Sequence, residues 1–164
     1  MKPIPRPGLV ALAVLSPVLS SIGLAAEDAH HKPFKHHAPG VFLGVSDERG
    51  GGDDFTWGLE YEYLFNKNFG IGLTYENTDK AHDGDGVEVA VASAYYHPYA
   101  GWRLGIGAGT EKIHGHHRGY ENLYRVGVAY DFHVGNFGVA PNLILDRVDG
   151  ENILVYGLSF LYPF

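Results

Sequence analysis

The chain ends in "ENILVYGLSFLYPF", residues 151–164, and this stretch decides the predicted fold. Every second position from 154 onward is apolar or aromatic: Leu154, Tyr156, Leu158, Phe160, Tyr162 and Phe164. The positions between them include the small residues Gly157 and Ser159. Because successive side chains of a β-strand point to opposite faces, this alternation predicts a strand with one bulky apolar face and one small face.

The same alternation recurs along the chain and predicts eight strands. They cover residues 41–47, 54–65, 69–76, 86–96, 102–112, 121–133, 137–147 and 152–164. Short turns at 66–68, 97–101 and 134–136 alternate with connections that are mostly longer and strongly polar. An even number of antiparallel strands, with short turns at one end and long loops at the other, is typical of outer-membrane barrels. The predicted fold is therefore all-β, an eight-stranded antiparallel up-and-down transmembrane β-barrel over residues 41–164.

The two faces of the predicted strands favour a membrane barrel over a soluble one. In residues 54–65 the bulky face carries Phe55, Trp57 and Leu59, whereas the opposite face carries Thr56 and Gly58. Glycine and alanine dominate these minor faces, although a sheet surface in water usually carries polar side chains. Small inward residues suit the narrow lumen of eight strands, and aromatic residues at strand ends suit membrane interfaces. A soluble lipocalin-like barrel is the alternative interpretation.

The first 26 residues have the pattern of a cleaved secretory signal peptide. Lys2 and Arg6 precede the apolar run "GLVALAVLSPVLSSIGLAA", which ends in small residues. A permanent membrane anchor is the alternative, but the run is short and contains Pro17. Cleavage would remove two basic and no acidic residues, changing the formal charge from −7 to −9. Such a negative net charge argues against nucleic acid, which is itself negatively charged, as a partner.

The C-terminal strand also resembles the assembly signal of bacterial outer-membrane proteins. The resemblance rests on these alternating residues: Tyr156, Leu158, Phe160, Tyr162 and the terminal Phe164. It implies delivery to the barrel-assembly machinery, and lipid requires the last strand to pair with the first so that no sheet edge stays open. Over residues 41–164 the strand and loop plan resembles the OmpA membrane domain and OmpX. That resemblance implies a monomer in the bacterial outer membrane, in contact with membrane lipid and lipopolysaccharide.

Charged residues on the minor faces are predicted to form a network in the lumen. They are Glu60, Glu62, Glu76, Glu88, Arg103, Glu111, Arg125, Asp131 and Asp146. Arg103 and Asp131 are expected near the periplasmic end of adjacent strands, and Arg125 is expected nearer the outer half, beside Glu111 or Asp146. Charges in so narrow a space need partners that offset their desolvation. The preferred interpretation is a salt-bridged plug, and the alternative is a gated ion path.

Histidines form two candidate metal clusters: His30, His31, His36 and His37 near the start of the chain, and His114, His116 and His117 in a loop. The first cluster lies in residues 27–40, which are predicted to be a flexible periplasmic tail. Neutral imidazole binds Zn²⁺, Cu²⁺ or Ni²⁺, but neither spacing specifies a tetrahedral site. Solvated polar sequence is the alternative, and no other cofactor is predicted. Zinc titration of the chain, compared with a variant carrying alanine at the four tail histidines, tests the metal hypothesis.

The sequence does not predict an enzyme. Asp131, His133 and Ser159 share one predicted face, but that face points into the lumen near the periplasmic end, away from outer-leaflet lipid. Ser93 is predicted to face lipid with only His97 nearby, which is not the oriented set that a serine nucleophile needs. The predicted role is structural or surface-interacting, ahead of a narrow ion or small-solute channel and of metal binding through the tail.

Overall fold

The computed structural model describes residues 34–48, 52–79, 86–114 and 119–164. Its strands are β1 (His37–Glu48), β2 (Gly52–Leu64), β3 (Phe69–Thr78), β4 (Val87–Tyr96), β5 (Trp102–Ile113), β6 (Gly119–Tyr130), β7 (Phe132–Val134), β8 (Phe137–Val148) and β9 (Glu151–Leu161). Within these ranges no helix is long and apolar enough to cross a membrane. The predicted signal peptide, His30, His31, His116 and His117 lie outside the described residues. β1 begins at His37, so the first strand extends into the segment predicted as a tail.

The strands form one closed and fully antiparallel barrel. Each strand from β1 to β6 pairs with its neighbour in the chain, and β8 pairs with β9. β6 and β7 are two segments of a single barrel strand, interrupted at Asp131, and both pair with β8. β9 pairs with β1, from Leu161 opposite Gly40 to Ile153 opposite Glu48, which closes the sheet. The barrel therefore has eight strands, and the predicted fold is confirmed.

Hydrogen bonds extend the closing seam beyond β9 to Phe164. Tyr162 N donates to Pro39 O (2.9 Å), and Phe164 N donates to His37 O (2.8 Å). His37 N donates in return to Phe164 O (3.1 Å), and the His37 and Phe164 rings stack with centroids 5.3 Å apart. An unpaired backbone group in lipid is costly. The C-terminal residues therefore have a structural role, because their backbone groups pair with β1 and close the barrel as far as Phe164.

Bulky side chains cover the outside of the barrel. Leu73 and Ile106 are 64% and 66% exposed, as expected of positions that contact hydrocarbon rather than water. The outward side chains of the predicted assembly signal share this surface: Tyr156, Leu158, Phe160 and Tyr162. Aromatic rings contact one another at the short-turn end of the barrel, which holds the turns 65–68, 97–101 and 135–136, as in the Phe69–Tyr96 pair with centroids 5.1 Å apart. Such a ring of aromatic residues suits a membrane interface.

β4 reverses the predicted orientation of its side chains. Val87, Val89, Val91 and Ser93 point inward, whereas Glu88, Ala90, Ala92 and Ala94 point outward. The prediction that Glu88 belongs to the lumen charge network is therefore wrong, and so is the prediction that Ser93 faces lipid. The expectation that the larger apolar residues face outward fails here because the valines complete an apolar layer inside the barrel.

This apolar layer fills much of the lumen towards the long loops. Its buried members are Phe42, Val87, Val89, Val91, Ile113, Leu123, Val148, Ile153 and Val155. The Phe42 ring lies against Gly44 and Gly157, which face each other across the β1–β9 seam. A Cβ atom at Gly157 would come within 2.8 Å of Phe42 Cε2, which is closer than packed atoms approach. Glycine at these two positions therefore makes room for the ring.

Candidate functional site in the barrel lumen

A buried ion triad crosses the lumen. Arg125 of β6 binds Glu76 of β3 through Nη1–Oε1 (2.6 Å) and Nη2–Oε2 (2.7 Å). The same guanidinium binds Asp146 of β8 through Nε–Oδ1 (2.7 Å) and Nη2–Oδ2 (2.6 Å). All three side chains are buried. Two bidentate pairs use the planar donor fork of one arginine almost completely, which holds β3, β6 and β8 together from the inside.

Only part of this triad follows from strand pairing. Arg125 stands directly opposite Asp146 in the β6–β8 register, and Asp146 was one of its two predicted partners. Glu76 lies on β3 and reaches Arg125 across the barrel, a contact that was not predicted because register relates only neighbouring strands. Glu111, the other predicted partner, is buried and lines a cavity beyond the triad towards the long loops.

The triad separates two small cavities. One cavity of about 40 Å³ is lined by Glu60, Arg103 and Arg125, among other residues. A second cavity of about 30 Å³ is lined by Glu111 and Asp146, among others. One water molecule needs roughly 10–15 Å³ of such volume, so each cavity holds only a few waters. Within the described ranges, the lumen is therefore divided into water-sized compartments.

A second and looser ionic cluster lies towards the short-turn end. Arg103 Nη1 lies 3.5 Å from Glu62 Oε2, and Arg103 Nη2 donates to Asn142 Oδ1 at 3.4 Å. The guanidinium also lies over the Tyr95 ring, with Cζ 5.5 Å from the centroid. Glu62 Oε1 lies 2.7 Å from His97 Nε2. These longer Arg103 contacts are weaker than those of Arg125 because hydrogen bonds lose strength with distance.

Two carboxylate oxygens near Arg103 have no hydrogen-bond partner among the residues that the structure describes. They are Glu60 Oε1 and Asp131 Oδ1, and both atoms are buried. Both carboxylates are close enough to attract the Arg103 guanidinium electrostatically. A buried oxygen without a partner costs free energy. The ionic network is therefore least satisfied at the short-turn end.

The two described tail histidines take part in packing. His36 Nδ1 donates to Leu64 O at 2.8 Å, and His37 Nδ1 lies 2.6 Å from the hydroxyl of Tyr61. Among the residues that the structure describes, no three or more His, Asp or Glu side chains are grouped so that they could hold a metal ion. Metal binding through the tail stays a prediction that depends on His30 and His31.

The residues considered for catalysis do not assemble. Ser159 is fully buried, and its Oγ accepts a hydrogen bond from Asn142 Nδ2 (2.6 Å). His133 is exposed on β7, where it stands opposite Gly138 at the short-turn end. Ser93 is buried, and His97 binds Glu62 instead. In the described part of the chain, neither serine is hydrogen-bonded to a histidine that could act as its base.

No protein-family model matches the sequence, and no curated protein is similar enough to count as a match. Solved structures do match. The N-terminal β-barrel domain of Pseudomonas aeruginosa OprF has a TM-score of 0.56 at 17% identity, covering 79% of this chain and 98% of that one. The Yersinia pestis outer membrane protein Ail, in a phospholipid bilayer nanodisc, has a TM-score of 0.52 at 15% identity, covering 77% and 99%.

The outer membrane enzyme PagL is a further structural match. Its TM-score is 0.51 at 15% identity, and the match covers 77% of this chain and 99% of that one. At such identities the likeness concerns the fold alone, because one fold supports many unrelated functions. The closed eight-stranded barrel and these matches agree: the chain has the fold of the small outer-membrane β-barrels.

Proposed function

We propose that the chain is a non-enzymatic β-barrel of the bacterial outer membrane with a structural or surface-interaction role. The observation that carries the proposal is a closed barrel with an apolar outside and a lumen occupied by the Arg125 triad and the Phe42 layer. A lumen filled in this way leaves the loops and the outer rim of the barrel for contact with other molecules.

The proposed partners follow from this location. Membrane lipid and lipopolysaccharide surround the apolar outside, and the barrel-assembly machinery receives the C-terminal strand during insertion. The chain acts as a monomer, since closure between β1 and β9 leaves no sheet edge for a second copy. The structural likeness to the OprF and Ail barrels supports the membrane location.

Electrophoresis of outer-membrane fractions with and without boiling tests the membrane barrel. We expect the unheated protein to migrate apart from the boiled protein, because a barrel with every strand paired resists detergent until it is heated. Recovery of the protein in the soluble periplasmic fraction, or identical mobility before and after boiling, would contradict the proposal.

A narrow ion or small-solute channel is the second candidate, favoured by the two lumen cavities. They lie on either side of the triad, so displacement of Arg125 would join them. Charged side chains at a constriction are also a common means of gating and selectivity. Glu76 and Asp146, however, hold Arg125 by four short hydrogen bonds. For this reason we prefer a closed, non-conducting barrel to a channel.

Planar bilayer recordings separate the two candidates. We expect the wild-type barrel to give no conductance steps, because the described part of its lumen is divided into water-sized compartments. A boiled sample at the same concentration is the control for nonspecific leakage. Reproducible steps in the wild type that change when Arg125 is replaced with glutamine would establish the channel instead.

A further inference from the structure

An apolar groove runs along the outside of the barrel over β4 and β5. Small outward side chains form the floor of the groove, and large side chains form one of its walls. The floor consists of Ala90, Ala92, Ala108 and Thr110, and the wall consists of Leu59, Tyr61, Leu73 and Tyr75. Its volume is about 580 Å³, far larger than either lumen cavity. We call this surface the β4–β5 groove.

Outward charges lie at the loop end of the same two strands, next to the groove. Glu88 Oε2 lies 3.1 Å from Lys112 Nζ, and Glu88 Oε1 lies 3.2 Å from His114 Nε2. The Lys112 and His114 side chains are 39% and 40% exposed. Because a lysine ammonium has three donors, Lys112 can bind a further acceptor while it keeps Glu88.

A second polar depression continues this rim across β6 and β8. Arg147 stands opposite Tyr124 in the β6–β8 register, and Tyr120 stands opposite Lys112 in the β5–β6 register. Tyr120, Tyr124 and Arg147 line a depression of about 540 Å³, together with the carboxylates of Glu121 and Asp149. Tyr120 is 75% exposed. An exposed ring beside a guanidinium suits a ligand that has both an apolar sugar face and an anionic group.

The rim lies at one boundary of the apolar band. Lys112 follows Trp102 by ten positions, and Arg147 follows Phe137 by ten positions, where Trp102 and Phe137 begin their strands at the short-turn end. Ten residues of a strand tilted by about 40° rise roughly 25 Å along the barrel, which is the height of the apolar band in such proteins. The β4–β5 groove therefore descends from the charged rim into the membrane-facing surface.

We propose that this groove and rim bind a phosphorylated glycolipid of the outer leaflet. Lys112 and Arg147 donate to its phosphate groups, and Glu88 accepts from its hydroxyl or amide groups. One acyl chain lies along the groove, where Ala92 and Ala108 leave space that larger side chains would fill. This inference rests on the proposed outer-membrane location and adds a ligand class and a defined site to it.

The charge pattern of the rim favours a ligand that carries hydrogen-bond donors beside its phosphate. A lone phosphate beside Lys112 would also lie beside the Glu88 carboxylate, and like charges repel. A phosphorylated sugar places hydroxyl donors next to its phosphate, so it satisfies Glu88 and Lys112 together. Charge-assisted hydrogen bonds of both kinds are stronger than neutral ones, and at a membrane surface they are less hydrated than in open water.

Lipid retention in nanodiscs tests the site. The full barrel is placed in phosphatidylcholine nanodiscs with increasing amounts of bisphosphorylated lipid A, and the lipid A retained after mild detergent extraction is measured by native mass spectrometry. We expect Lys112→Gln, Arg147→Gln and Ala92→Leu each to weaken retention by about tenfold, through loss of a charge-assisted bond or of groove space. Lys67→Gln, in a turn at the opposite end, and Ala94→Leu, outward on β4 but outside the groove, are matched controls that retain lipid A like the wild type.

Two results would overturn the glycolipid site. One is retention of lipid A that is equal in the wild type and in all three test variants. The other is equal retention of dephosphorylated lipid A or of phosphatidylethanolamine in place of bisphosphorylated lipid A. Heat-dependent mobility of the same samples separates failure of the glycolipid site from failure of the membrane barrel. A normal mobility shift without selective retention refutes only the glycolipid site. Absence of the shift refutes the membrane barrel.

Discussion

Replacing Arg125 with methionine is expected to lower the free energy of unfolding by about 3–5 kcal/mol, because removal of one member of a buried ionic network leaves its partners uncompensated. Methionine roughly preserves the packed volume, but Glu76 and Asp146 would then face each other in the lumen without their cation. Urea unfolding of the barrel in lipid vesicles, followed by the fluorescence of Trp57 and Trp102, measures the loss.

A triple variant distinguishes unpaired charge from lost packing. Combining Arg125→Met with Glu76→Gln and Asp146→Asn removes all three charges and is expected to recover most of the lost stability, since neutral partners are much cheaper to bury. Arg103→Met is a useful comparison because the contacts of Arg103 are longer, and its cost is expected to be smaller. An Arg125→Met barrel as stable as the wild type would contradict the buried triad.

Replacing Gly157 with alanine is expected to prevent most of the protein from forming a closed barrel. The added methyl group would collide with Leu43 O and with the Cα atom of Gly44, and it would come within 2.8 Å of the Phe42 ring. The first two obstacles belong to the backbone of the closing strand, so they cannot move aside by a change of rotamer. Overpacking costs about 1–3 kcal/mol even where side chains yield, and more where they cannot. The refolded fraction, measured by the heat-dependent mobility shift, reports the effect.

Two other inward glycines provide matched controls for the Gly157→Ala variant. The nearest atom to a Cβ at Gly127 is Ile144 Cγ1, and the nearest to a Cβ at Gly138 is Leu161 Cβ, both at 3.4 Å. These are tolerable contacts, so Gly127→Ala and Gly138→Ala are expected to refold with nearly the wild-type yield. If Gly157→Ala and Gly127→Ala refold equally well, the close packing of Gly157 against β1 at the seam is contradicted.

The sequence was sufficient to predict the eight strands and the closure of the barrel, because alternation and turn residues are local signals. It failed on β4, where both faces are apolar. Val89 and Ala90 differ in size and not in polarity. Which of the two faces points inward therefore depends on what else fills the lumen. Glu88 was misplaced with its strand, since a one-residue change of phase moves every side chain to the opposite face.

Only those contacts of the lumen site that join neighbouring strands could be predicted from the sequence. Asp146 could be anticipated as a partner for Arg125, but Glu76 could not, because contacts across a barrel depend on strand tilt and lumen width. The inward position of Phe42 was also missed. Its signal was present in the opposed pair Gly44 and Gly157, whose missing side chains leave space for a ring.

The seam between β1 and β9 sets a kinetic order on the formation of the barrel. The other strand pairs join across short connections, whereas the seam unites His37 and Phe164, which are far apart in the chain. Closing a loop of roughly 130 residues costs about 2–3 kcal/mol more entropy than closing a hairpin. Hairpins therefore assemble early and the seam last, since distant pairings are slow. Until that final step both terminal strands expose unsatisfied edges, and the half-finished sheet is then most vulnerable to misassociation with other chains.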